Sequence, residues 1–193
     1  AKKSDFGFKE DDFILGNVSR LDHLKGQEVL ILAMPKILER IPKAKLILIG
    51  EGKAKISLEK KIKELGLNKS VFLLGALKDV RVALKIMDVF CFLTFYEGFG
   101  LALLEAMAMR LPIIASYIPE LEFILDKAGI LIPPKKPEIL AEKVFDLYNN
   151  PRKRTELANL AYARAKDFSY RNTVKDTLEI YKLAKQKWLR KKS

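Results

Sequence analysis

Short, continuously apolar runs alternate with longer amphipathic stretches along this chain, and that alternation leaves little choice of fold. Residues 13–18, 46–49, 71–74, 89–93, 112–115 and 129–132 read as six strands. Leucine and β-branched residues fill these runs with little polar alternation, as in strands covered on both faces. Between them, 27–40, 56–65, 80–87 and 101–109 carry helical periodicity, and 120–125 reads as a short turn or helix. After Pro133-Pro134 the pattern is helical only, over 137–148, 152–166 and 171–188. Strand and helix in strict turn predict an α/β fold. Its expected form is a Rossmann-like, doubly wound parallel sheet of about six strands with extra C-terminal helices.

Nearly half of the 193 residues are apolar, enough for one sizeable core, so residues 1–193 read as a single domain with its core at about 8–185. No run reaches the roughly 18 apolar residues that span a bilayer. Ala1-Lys2-Lys3-Ser4-Asp5 is followed by no apolar stretch and does not read as a signal peptide. The single Cys91 excludes an internal disulfide and multi-cysteine metal sites. A cytoplasmic setting is expected. The net charge of +12 fits an anionic small molecule, a membrane surface or nucleic acid. The cations are spread along the helices with acids interleaved, as on a solvated surface.

Open parallel sheets bind ligands at the carboxyl ends of their strands, and the chemically suggestive residues fall there. Glu97-Gly98-Phe99-Gly100-Leu101 joins the fourth strand to its helix, and Glu105 follows inside that helix. A carboxylate buried on an apolar helix face needs donors, which a polyhydroxylated ligand supplies. The free amides of the first helical turn favour an anionic group beside it. After the first strand, Arg20 and Lys25 flank a tight loop; two cations there suit a diphosphate, or are ordinary surface charges. His23 between them reads as incidental. Gly50-Glu51-Gly52 has Lys55 where a dinucleotide fingerprint has its third glycine, so it reads as a sharp turn lining the cleft. The P-loop pattern is absent. So is any Asp-x-Asp, and one histidine with one cysteine makes no zinc site, so neither metal nor cofactor is expected.

In order, Gly16-Asn17-Val18-Ser19-Arg20-Leu21 to Lys25-Gly26, Leu48-Ile49-Gly50-Glu51-Gly52, Val71-Phe72-Leu73-Leu74-Gly75, Glu97-Gly98-Phe99-Gly100 to Glu105-Ala106-Met107-Ala108, Pro119-Glu120, Ala128-Gly129-Ile130-Leu131-Ile132-Pro133-Pro134 and Phe168-Ser169-Tyr170 to Tyr181 resemble one known family. It is glycosyltransferase family 4, of GT-B architecture, and the match is to its C-terminal, donor-binding half. The resemblance implies a retaining, metal-independent hexosyltransferase using a nucleoside-diphosphate sugar. It implies that Glu97 positions the donor sugar and that Arg20 and Lys25 bind the diphosphate. It further gives the backbone of Gly98, Phe99, Gly100 and Leu101 to the sugar and diphosphate, Glu105 to the ribose, and the loop at Leu77 to the nucleobase. Tyr117-Ile118 stands where the family usually has a glycine before Pro119-Glu120.

The same resemblance implies an N-terminal acceptor domain that this chain does not contain, and an isolated chain that transfers little. The chain reads as an excised domain or fragment. The basic tail around Trp188, from Lys185 to Lys192, is expected to pack on that missing domain, the alternative being an anionic membrane surface. That alternative would put the protein at the inner face of the membrane. An epimerase or a glycogen or sucrose synthase relative shares the architecture. From another class, a basic nucleic-acid or interaction module is the rival, but no nucleic-acid motif supports it and no nucleic acid is expected as partner.

Overall fold

The computed structural model describes residues 1–190. A 3-10 turn at Lys3–Phe6 leads into β1 (Phe13–Val18), and a second at His23–Lys25 precedes α1 (Gln27–Arg40). The chain then alternates through β2 (Ala44–Ile49), α2 (Lys55–Glu64), β3 (Val71–Gly75), α3 (Arg81–Leu84), β4 (Val89–Phe92), α4 (Leu101–Ala108), β5 (Ile113–Ser116), α5 (Pro119–Leu125) and β6 (Ile130–Ile132). Three helices follow: α6 (Pro137–Asn149), α7 (Pro151–Ala165) and α8 (Tyr170–Arg190), with a 3-10 turn, Lys166–Phe168, between the last two.

The six strands form one sheet in the order β3-β2-β1-β4-β5-β6, and every neighbouring pair is parallel. Side chains alternate across it with period two. Ile14, Ile47, Ile49, Phe90 and Phe92 face a core shared with α3, α4, α5 and α7. Leu15, Leu46, Leu48, Val89 and Cys91 face a second core shared with α1, α2 and α6. This is the doubly wound Rossmann-like arrangement that the apolar runs predict, with both faces of the sheet dry. Each fully buried leucine or isoleucine contributes about 1.5–3 kcal/mol, so both layers stabilise the sheet.

The strand order turns at β1. From there the chain winds outward to β2 and β3, then returns to place β4 on the other side of β1, with Leu15 opposite Val89 and Gly16 opposite Phe90. The loops after β1 and β4 therefore leave the sheet side by side in opposite senses. A crevice at such a switch point is where open sheets hold ligands.

Two elements differ from expectation. The helix read over 80–87 is shorter, Arg81–Leu84, because Ile86 and Met87 turn inward and the Asp88 amide donates to Ile14 O at 2.8 Å. In α4 only Leu103, Ala106 and Met107 are buried, at the i, i+3, i+4 spacing of one face. Leu101, 68% exposed, and Glu105 lie on the solvent side. Glu105 is therefore not, as the sequence suggests, buried on an apolar helix face. Along α8, Tyr170, Val174, Leu178 and Tyr181 recur at helical spacing and are exposed. Of the basic tail, Lys191 and Lys192 lie outside the described residues.

Candidate functional site

The loop after β1 turns through Gly26 with φ of +67°, and a side chain there would bring its first carbon 2.0 Å from Leu93 O. Only glycine allows that approach. Contact is then made by backbone: Phe95 N donates to Leu24 O at 2.7 Å, and the Thr94 hydroxyl lies 3.0 Å from Leu24 O and 2.7 Å from Tyr96 O. The β1 and β4 loops are thus tied to one another across the switch point.

That stitching brings Lys25 against Glu97. The ammonium lies 2.9 Å from Glu97 Oε2, with the two side chains 19% and 14% exposed and 72 residues apart in sequence. Glu97 Oε1 accepts from the Gly98 amide at 3.1 Å. Beyond it, Gly100 caps α4 in the left-handed region, φ +76°, and its carbonyl accepts from Leu103 and Leu104. By helix geometry the amides of Leu101 and Ala102 precede the first i to i−4 bonds and are available to an anion. Nothing lies within 4 Å of where a Gly98 side chain would stand, so the loop backbone is open. Phe99 and Leu101 are exposed beside it.

Arg20 is placed differently. Its side chain is 71% exposed, and its guanidinium lies 3.6 Å from Asp22, as does the ammonium of Lys53. Asp22 is nearly buried and accepts from the Leu24 amide at 3.1 Å. That amide, with Lys53 and Arg20 behind it, holds the Asp22 carboxyl below the usual carboxylate range. Asp22 and Lys53 join Arg20 on this rim, and sequence reasoning missed both. Lys53 follows β2 and stands at the same strand ends as Arg20, which is the signal that would have found it.

Gly50 and its neighbours do hold two loops close. A side chain at Gly50, φ +140°, would meet Ser19 O at 2.1 Å. Leu21 N donates to Glu51 O and Ala54 N to Leu21 O, so the ladder between β1 and β2 continues past both strands. A polar chain, buried at Asn17 and Gln27, lies beneath. Gln27 Nε2 donates to Ser19 Oγ, Ser19 Oγ to Asn17 Oδ1, and Asn17 Nδ2 to Cys91 O, at 2.7–2.8 Å. It ties the first turn of α1 to β1 and β4. Asn17 inside an apolar strand was the overlooked signal, since a buried amide must find partners. Burial also pushes the Cys91 thiol up to about 12, leaving it protonated and inert.

Of the predicted residues, Lys25, Glu97, Gly98 and Gly100 come together, with Leu101 one step on. Arg20 turns to Asp22 on the same rim. Leu77 is half-buried in the loop after β3. Glu105 is the correction: it is exposed, so no burial penalty demands a ligand there. A groove of about 540 Å³ lies beside this rim on the α1–α6 flank, lined by Leu24, Leu32, Phe95, Lys135 and Pro137 among others. An ammonium beside a carboxylate at a helix start can meet phosphoryl oxygens with one group and hydroxyls with the other.

Residues 1–164 match the family model described as Glycosyl transferases group 1. An uncharacterized glycosyltransferase of Methanocaldococcus jannaschii is 34% identical over 92% of this chain and 47% of its own length. Among solved structures, HepE of Anabaena in complex with UDP superposes with a TM-score of 0.82 at 24% identity, over 95% of this chain and 51% of that one. The C-terminal domain of the group 1 glycosyl transferase LpcC from Francisella tularensis gives 0.72 at 28% identity, covering 80% of this chain and 84% of that domain. The chain thus spans about half the length of the curated relatives it matches.

Proposed function

This chain belongs to the glycosyl transferases of group 1, and from that premise we propose that it is the donor-binding half of a retaining, metal-independent hexosyltransferase. The donor is a nucleoside-diphosphate sugar. The acceptor is held mainly by an N-terminal domain, against which the exposed apolar side of α8 packs. The protein works in the cytoplasm; the alternative to packing on that domain is that α8 meets anionic lipid at the membrane's inner face.

One observation carries this reading: Lys25 and Glu97 meet at 2.9 Å where the sheet order reverses, beside the open start of α4. With donor bound, Lys25 turns from Glu97 to the diphosphate, joined by Arg20 from the rim and by the amides of Leu101 and Ala102. Glu97, released from the ammonium, accepts from the sugar hydroxyls. Positive charge at the departing diphosphate lowers the barrier only as far as it binds the developing anion more tightly than the ground state. Glu105, exposed one turn into α4, takes the ribose hydroxyls, and the loop at Leu77 meets the base. The fold shared with HepE, whose structure holds UDP, supports a nucleotide as ligand.

The test is a thermal-shift screen of this chain against UDP-, GDP- and ADP-sugars, with short DNA and RNA alongside. One nucleotide sugar should raise Tm, since a hundredfold excess over Kd stabilises the folded chain by about 2.7 kcal/mol. Glu105→Ala and Glu97→Gln should abolish the shift. Salt-sensitive stabilisation by any polyanion, indifferent to both substitutions, would refute the proposal.

A further inference from the structure

Phe99 sits in the middle of the open loop between Glu97 and α4, yet its ring is not left to solvent on every side. Its centroid lies 6.0 Å from that of Phe168, edge to face at 71°. Phe168 belongs to the 3-10 turn joining α7 to α8, remote in sequence from the rim. It is held from behind as well. The Phe123 ring packs edge to face against it at 6.2 Å, and the Arg164 guanidinium lies 4.8 Å above it.

Arg164 itself is fixed by three partners. Its Nη2 donates to Phe123 O at 2.7 Å and its Nε to Ile124 O at 3.0 Å, both in the last turn of α5, where carbonyls lack helical donors. Its Nη1 donates to Asp167 at 3.0 Å. The turn is tied in addition to the start of α8, since Asn172 Nδ2 donates to Lys166 O and Asp167 O. A rigid path of contacts therefore runs from α8 and the end of α5, through Phe168, to Phe99.

We infer that Phe168 is a positioning residue for the donor loop: by holding Phe99 it fixes the Gly98–Gly100 backbone over the start of α4. The inference rests on the donor site proposed above. Without the contact, Gly98 and Gly100 leave the loop free to wander. The cost of ordering it then falls on the ligand. Whatever moves α8 also reaches the loop by this route.

Two readouts test it, one of which needs no ligand. In a Trp188→Phe background, Phe99→Trp puts the chain's single tryptophan in the loop, and iodide quenching reports its exposure. Adding Phe168→Ala, or separately Arg164→Ala, should raise that quenching, and Phe168→Tyr should restore it. In the native background, calorimetry with UDP-glucose should show affinity falling roughly three- to tenfold for Phe168→Ala, with Phe168→Tyr recovering it. Unchanged quenching in both alanine variants would overturn the inference, even if Tm falls. So would unchanged affinity in a chain that binds UDP-glucose. If quenching responds but no chain binds any nucleotide sugar, the coupling stands and the donor-site proposal fails.

Discussion

Lys25 shows how little of a residue's role lies in its type. Among 36 lysines and arginines it is singled out by following β1 at the strand ends, and the structure sets it against Glu97. Position relative to a strand end was readable from the sequence; the partner was not. Asp22 was missed because a capping carboxylate in a loop leaves no periodic trace, and Glu105 was misjudged because an apolar neighbourhood in sequence need not be one in space. Asp22 also makes a testable residue. Its folded pKa lies below its unfolded one, so its contribution to stability is full above about pH 4 and is lost as pH falls through the folded value. Asp22→Asn should therefore lower Tm at pH 7, and the two melting curves should converge on acidification. A constant gap from pH 7 to pH 2.5 would show that the Asp22 charge does not carry the effect, since asparagine keeps an oxygen that can accept from the Leu24 amide.

At the scale of elements, agreement is close wherever hydrophobic periodicity is strong. β1 and α1 begin and end where the pattern says, and α1 continues through Pro35 because its buried face, Val29 to Ile37, is packed on both sides of the proline. Pattern fails where nearly every residue is apolar. In α4 composition cannot say which side is buried, since Leu101, Ala102 and Leu104 look as core-like as Leu103. The joints between elements depend on close backbone approach, which sequence reveals only as glycine. Gly26→Ala should destabilise the chain by about 2 kcal/mol or more in urea unfolding, from left-handed strain and the collision with Leu93 O. An unchanged midpoint would mean that the two loops part without cost and that their stitching does not hold Lys25 in place.

For the whole molecule, the doubly wound parallel sheet was legible from alternation alone. The strand order was not, because nothing local tells β4 to return beside β1. That choice is decided by long-range burial of both sheet faces. It is also what creates the site, since Lys25 and Glu97 become neighbours only through the reversal. An amide chemical-shift titration with UDP-glucose tests this most directly. The largest changes should cluster in residues 20–26 and 97–103, on the two loops that leave β1 and β4, with the opposite, amino-terminal edge of the strands, where Lys43 and Lys69 precede β2 and β3, unmoved. Saturable shifts centred on that opposite edge, with the two loops silent, would contradict a donor site at the switch point.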